Sequence, residues 1–290
     1  MPFDLPLYWA LLKKVLTNWV GDDVPSMGAA LAYYTLFSLA PLLLIVISVA
    51  GLVFGQDAAR GEIESQLRAL MGDAGAAAVQ ALLASVGKPS EGTAATLLGV
   101  LLLLIGATTV FGELQTALDR IWRVPTLGST GGWLNLLRAR MLSFGMILAI
   151  GFLLMVSLVL SAALATMGRL WSPMFGGWIT IASISNAVVG FVLVTAMFAL
   201  IYKVMPRAHV QWRDVWTGAI FTALLFSLGK ALIGAYIGSS GIVSGFGAAG
   251  SLVVVLLWVY YSAQIFLMGA EFTWVYANLF GSRRQTPTTV

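Results

Sequence analysis

Leu252 to Ala277 reads LVVVLLWVYYSAQIFLMGAEFTWVYA, an uninterrupted apolar stretch whose only charge is Glu271. About twenty such residues cross the hydrocarbon core of a bilayer as a helix, so this stretch is long enough to span. Its continuous apolarity is also the wrong pattern for a barrel strand, which alternates with period two. Five further segments read the same way: 27–54, 94–118, 141–167, 179–204 and 216–237.

Composition agrees with a lipid solvent. Of 290 residues 59% are apolar and 10% charged, with a mean hydropathy of +0.92, whereas soluble domains carry roughly a quarter charged residues. A water-soluble globular enzyme is thereby excluded. The fold class implied is an all-α integral membrane protein, a six-transmembrane-helix bundle forming one membrane domain over 1–290.

Two elements flank the spans. Over 7–20, Leu7, Leu11, Leu12, Val15, Leu16 and Trp19 recur at helical spacing beside Lys13 and Lys14, the pattern of an amphipathic helix on the membrane surface. The positive charge follows this apolar run instead of preceding it, and no small-residue cleavage site closes it, so no secretory signal is read. The loop 55–93 holds two short periodic patterns, Ile63, Leu67, Leu70, Met71 and Val79, Leu82, Leu83, Val86, read as a small helical cap on the outer side. Its acidic residues Asp57, Glu62, Glu64, Asp73 and Glu91 suit a solvated helix face. No internal repeat is visible.

Cytoplasmic loops retain Lys and Arg. With the N-terminus inside, eleven basic residues fall in the cytoplasm (Lys13, Lys14, Arg120, Arg123, Arg138, Arg140, Lys203, Arg207, Arg213, Arg283, Arg284) against four outside (Arg60, Arg68, Lys88, Arg169). This imbalance predicts a multi-pass membrane protein with both termini cytoplasmic.

Three segments, AYYTLFSLAPLLL (32–44), LQTALDRIW (114–122) and LWVYYSAQIFLMGAEF (257–272), together with YKVMP (202–206), resemble the YihY/BrkB family of inner-membrane proteins. The resemblance implies six membrane helices and a poorly defined activity. It also carries the labels of virulence or serum-resistance factor and, formerly, of ribonuclease BN. Metal-dependent phosphodiester hydrolysis needs several converging carboxylates and histidines. The only histidine is His209, in a basic loop between Arg207 and Arg213, and there is no cysteine. The expectation is therefore no catalytic residue, no metal, no cofactor and no nucleic acid partner.

Charged groups inside a membrane are costly enough that each is a functional hypothesis. The candidates are Glu113, Lys230 and Glu271. At 1.5 Å per residue both carboxylates lie near the inner edge, and Lys230 lies near the outside, about 19 Å from Glu271 in depth. Lys230 can snorkel outward, and the carboxylates can meet headgroup water or basic residues. On the sixth span Tyr261, Gln264, Met268 and Glu271 share one helix face. This polar stripe faces the bundle interior, as interhelical glue or as the lining of a cavity, and its terminal carboxylate favours the cavity. The first span carries Tyr34, Ser38 and Pro41 on one face, with a kink expected near Pro41. The glycine-rich stretch 238–250 is read as an outer loop or a re-entrant gate, and Gly234 with Gly238 as a small-residue packing pair.

Two functions follow. One is a transporter or permease for an ion, small solute or lipid, working through Glu113, Gln264, Glu271 and Lys230. The other is a noncatalytic scaffold recruiting envelope partners through the outer cap. Membrane lipids are partners of either. Substrate, coupling ion and oligomeric state leave no mark in the sequence.

Overall fold

The computed structural model describes residues 5–86, 109–125, 178–239 and 250–284, with isolated positions between 141 and 156. The described residues are helical and include no strand. In chain order the helices are α1 (Leu5–Gly21), α2 (Val24–Phe54), α3 (Gln56–Val86), α4 (109–121), α5 (Trp178–Val204), α6 (Trp212–Ser239) and α7 (Gly250–Leu279). The spans expected over 94–118 and 141–167 lie largely outside the described residues, as does 238–250.

Among the described residues four helices are long and apolar enough to cross a membrane: Val24–Leu52, Ala187–Val204, Trp212–Ile237 and Leu252–Leu279. Their apolar character runs around the circumference, which is what a helix solvated by lipid requires. Leu224, Leu228 and Leu232 of α6 and Val188 and Val192 of α5 are accordingly exposed.

The helix α7 is central, packing against α6, α2, α3 and α1. Its C-terminal half builds the main core with Leu118, Ile121, Tyr202, Val215 and Ala219 around Leu267 and Ala270. Against its end lies α1, whose Leu11 and Val15 bury on Val275. The α2 helix stays helical through the buried Pro41. Phe37, whose carbonyl a proline at position 41 leaves without its helical donor, lies on an exposed face with Tyr33.

The chain reverses at Gly55 (φ 86°), whose N–H closes α2 on the Gly51 carbonyl at 3.0 Å. It then forms α3, which is a hairpin in itself: Gly72, at φ 74° and ψ 179°, divides it. Instead of lying across the end of the bundle, this hairpin runs back along α2. Leu67, Met71 and Val79 share one cluster with Leu36, Leu39 and Leu43 of α2 and Val255, Trp258 and Val259 of α7. The physical reason is the apolar stripe, which must be buried and finds its partner along α2. Arg68 spans the bend, bonding Glu64 at 2.8 Å and Asp73 at 3.2 Å, but these exposed pairs contribute little. The backbone at Gly72 lies in a region essentially restricted to glycine, so Gly72→Ala should destabilise the fold by about 1–3 kcal/mol. Thermal unfolding of the purified protein in detergent checks this, and an unchanged midpoint would contradict the hairpin geometry.

Candidate functional site

Polar residues converge at one end of the bundle, where α1 turns into α2, where α4 ends, where α5 turns into α6 and where α7 ends. Each turn is tied to another. The Asp119 carboxylate accepts the Arg207 backbone N–H at 2.7 Å and faces its guanidinium at 3.5 Å. Burial pushes the Asp119 carboxyl up, against the opposing pull of Arg207. Gln115 donates to the Met205 carbonyl at 3.0 Å, and Lys203 to the Val210 carbonyl at 2.5 Å.

Asp214, fully buried in the first turn of α6, accepts from the Ser282 N–H at 3.2 Å and its hydroxyl at 2.6 Å. That arrangement fastens the exit of α7 to the start of α6. Two arginine–tryptophan stackings cross between α4 and α7: Arg123 lies 5.1 Å from the Trp274 ring and Arg283 5.0 Å from the Trp122 ring. Arg283 also donates to the His209 carbonyl at 3.1 Å. His209 is exposed, and among the described residues no group of three His, Cys, Asp or Glu is arranged to hold a metal.

Within this frame lies Glu271. Its side chain has no solvent exposure, and neither carboxylate oxygen receives a hydrogen bond. Asp22 and Asn18 stand beside it, and Arg123 acts on it from the end of α4. Their polar groups are close enough to interact, yet no well-formed hydrogen bond reaches either oxygen. Arg123 is already engaged, donating to Asp22 Oδ2 at 3.0 Å. Left-handed backbone occurs at Arg123 itself, with φ 55°, and at Asp23, the residue after Asp22, with φ 57°. Such conformations cost about 1–3 kcal/mol each for residues other than glycine and concentrate at functional sites, although aspartate tolerates them better than most.

The other sequence candidates disperse. Gln264 does face the interior, but opposite the first turns of α2: it donates to the Pro25 carbonyl at 3.4 Å and packs on Gly28, while its Oε1 is buried without a partner. Tyr261 is half-buried and packs over Gly229 of α6. Lys230, next to that glycine, is exposed, and Glu113 is half-buried on α4; neither is among the groups acting on Glu271. Tyr34 is exposed, with its ring edge-on to Tyr33 at 5.6 Å. Ser38 is buried and contacts the Thr35 carbonyl at 3.4 Å, and Pro41 is buried without a polar role. Gly28, Gly218, Gly229 and Gly269 are closely packed against neighbouring helices, whereas a side chain at Gly234 would meet nothing within 4 Å among the described residues.

Sequence reasoning missed Asp22, Asn18 and Asp214, and counted Arg123 only as a loop cation. A signal existed for the first pair, because Asp22-Asp23 interrupts two apolar helices and Arg123 closes the DRIWR run of 119–123. It also missed the seam that holds α6 on α7. Gly218 and Thr222 face Thr273 and Gly269 reciprocally, each threonine lying over the other helix's glycine. Tyr202 locks the seam by donating to the Phe266 carbonyl at 2.6 Å and meeting Thr222 Oγ1 at 3.0 Å. The repeated G-x-x-x-T spacing of 218–222 and 269–273 was readable as close helix packing.

Residues 15–289 match the family described as virulence factor BrkB. Similar curated proteins carry the description UPF0761 membrane protein. One, from Pseudomonas aeruginosa strain LESB58, is 28% identical over 270 residues, covering 92% of this chain and 62% of that protein. Another, from Acinetobacter baylyi, is 24% identical over 288 residues, covering 99% and 66%, and a third, from Tolumonas auensis, is 26% identical over 254 residues, covering 87% and 80%. The chain thus spans about three-fifths of the length of the Pseudomonas relative. No solved structure matches. With the family match running over nearly the whole chain, the protein belongs to the virulence factor BrkB family of membrane proteins.

Proposed function

We propose that the chain is a permease of the bacterial inner membrane, a six-span bundle with both termini cytoplasmic, and that its path for an ion or small solute opens at the inner end beside Glu271. The observation that carries this reading is the enclosed, unbonded carboxylate of Glu271 on the central helix. A polar group buried without a partner is unfavourable by several kcal/mol in hydrocarbon, and an arrangement serving stability alone would have placed an apolar residue there. The orientation is supported by the basic residues Arg123, Lys203, Arg207 and Arg283, which gather at the same end as Glu271.

Uptake of ions and solutes into proteoliposomes tests the function. Wild-type protein should support flux that Glu271→Gln lowers at least tenfold, since the substitution keeps shape and removes charge. Equal flux in the two proteins, with both folded and inserted, would reassign Glu271 to helix packing.

A further inference from the structure

We propose that Asp22 and Glu271 form one proton-binding site in which the two carboxyls share a single proton. Using that proton as the coupling ion rests on the permease reading; holding it does not.

The argument is a charge count inside an enclosure. The polar groups acting on Glu271 are Asp22 from the α1–α2 turn, Asn18 from α1 and Arg123 from the end of α4. One of these is a cation, and its guanidinium is committed to Asp22 Oδ2. With both carboxyls ionised, one negative charge stays uncompensated on a side chain that is fully buried and has no hydrogen-bond donor on either oxygen. Buried charges require a partner.

A divalent metal held by two carboxylates alone keeps several waters in its shell, which the fully buried Glu271 side chain does not admit, and among the described residues no third acidic or histidine side chain joins the pair. A monovalent cation needs a shell of oxygens, while Asn18 turns an unbonded amide nitrogen into its buried surroundings. One hydrogen satisfies the count. A proton taken from water onto a Glu271 oxygen makes that carboxyl a neutral donor toward Asp22, whose other oxygen stays with Arg123. Net charge over Asp22, Glu271 and Arg123 is then zero, and releasing the proton returns it to water and leaves the three groups at minus one.

Infrared spectroscopy of the full chain in lipid nanodiscs at pH 7 tests this without requiring transport. Wild-type protein should show a protonated-carboxyl C=O band that shifts on exchange into D2O. Glu271→Gln should remove it, and so should Asp22→Asn, because Arg123 then becomes free to pair with an ionised Glu271. A spectrum unchanged by Glu271→Gln would overturn the proposal. So would a wild-type spectrum without the band combined with thermal stability that depends on sodium or potassium, which would make a metal cation the occupant. The band present with no flux of any solute sinks the permease reading alone; flux lowered by Glu271→Gln with no band sinks the shared proton alone.

Discussion

Gly269→Val and Gly218→Val should each abolish the folded bundle in detergent. A Cβ at Gly269 would collide with Thr222 Oγ1 and the Tyr202 hydroxyl, and one at Gly218 with Thr273 Oγ1. None of these can step aside cheaply. The Thr222 hydroxyl bonds the Gly218 carbonyl and the Thr273 hydroxyl bonds the Gly269 carbonyl, both at 2.7 Å, and Tyr202 is wedged against Phe266. Overpacking of a filled core costs about 1–3 kcal/mol for small insertions, and two branched methyls against a rigid seam, with the loss of the tyrosine bond, should exceed about 3 kcal/mol. Gly234→Val supplies the control: it sits on α6 with Gly218, a side chain there meets nothing within 4 Å among the described residues, and the variant should insert and fold almost normally. Size-exclusion profiles and thermal midpoints of the three variants distinguish seam from surface, and a stable Gly269→Val protein would show the seam is misplaced.

The second large effect is electrostatic. Arg123→Gln should destabilise the protein more than Asp22→Asn, although both remove the same ion pair. Removing the guanidinium leaves Asp22 and Glu271 facing each other without a cation, whereas removing the Asp22 charge frees Arg123 for Glu271. Truncating one member of a fully buried pair costs about 3–5 kcal/mol. The Arg123 side chain is half exposed, at 50%, so solvent screening reduces this to about 1–2 kcal/mol. The double variant Asp22→Asn with Arg123→Gln should recover part of the loss, and denaturant titration of the four proteins measures that coupling. Equal losses for the two single variants would mean that Glu271 does not feel Arg123.

How much of this was legible follows from what each residue's neighbours are. The helices of 24–54, 178–204, 212–239 and 250–279 were plain in the sequence to within a few residues, because a lipid solvent imposes apolarity all along an element. Glu271 stood out for the same reason in reverse, as a charge inside such an element. Asp22 did not, because an aspartate in a turn between helices looks like any solvated turn residue until α7 is brought against it. The α3 hairpin was half readable: its two periodic patterns gave two helices, but their stripe says only that something must cover it, and α2 is identified as the cover only in three dimensions. Gln264 faces the first turns of α2 and not the groups around Glu271, and the pattern along one helix does not say which neighbour lies opposite each turn.

As the proposed permease, the protein should let water reach Glu271 from the cytoplasmic side although the side chain is enclosed in this conformation, and the absence of native cysteines makes that directly measurable. A single cysteine at position 271 in membrane vesicles of both orientations should react slowly with a small charged thiol reagent presented at the cytoplasmic face and not at all with one presented outside. A cysteine at Ser282 should react rapidly from the cytoplasmic face only. If the cysteine at 271 reacts only from outside, or stays unreactive from both faces while Ser282→Cys is labelled, no inner path opens beside Glu271.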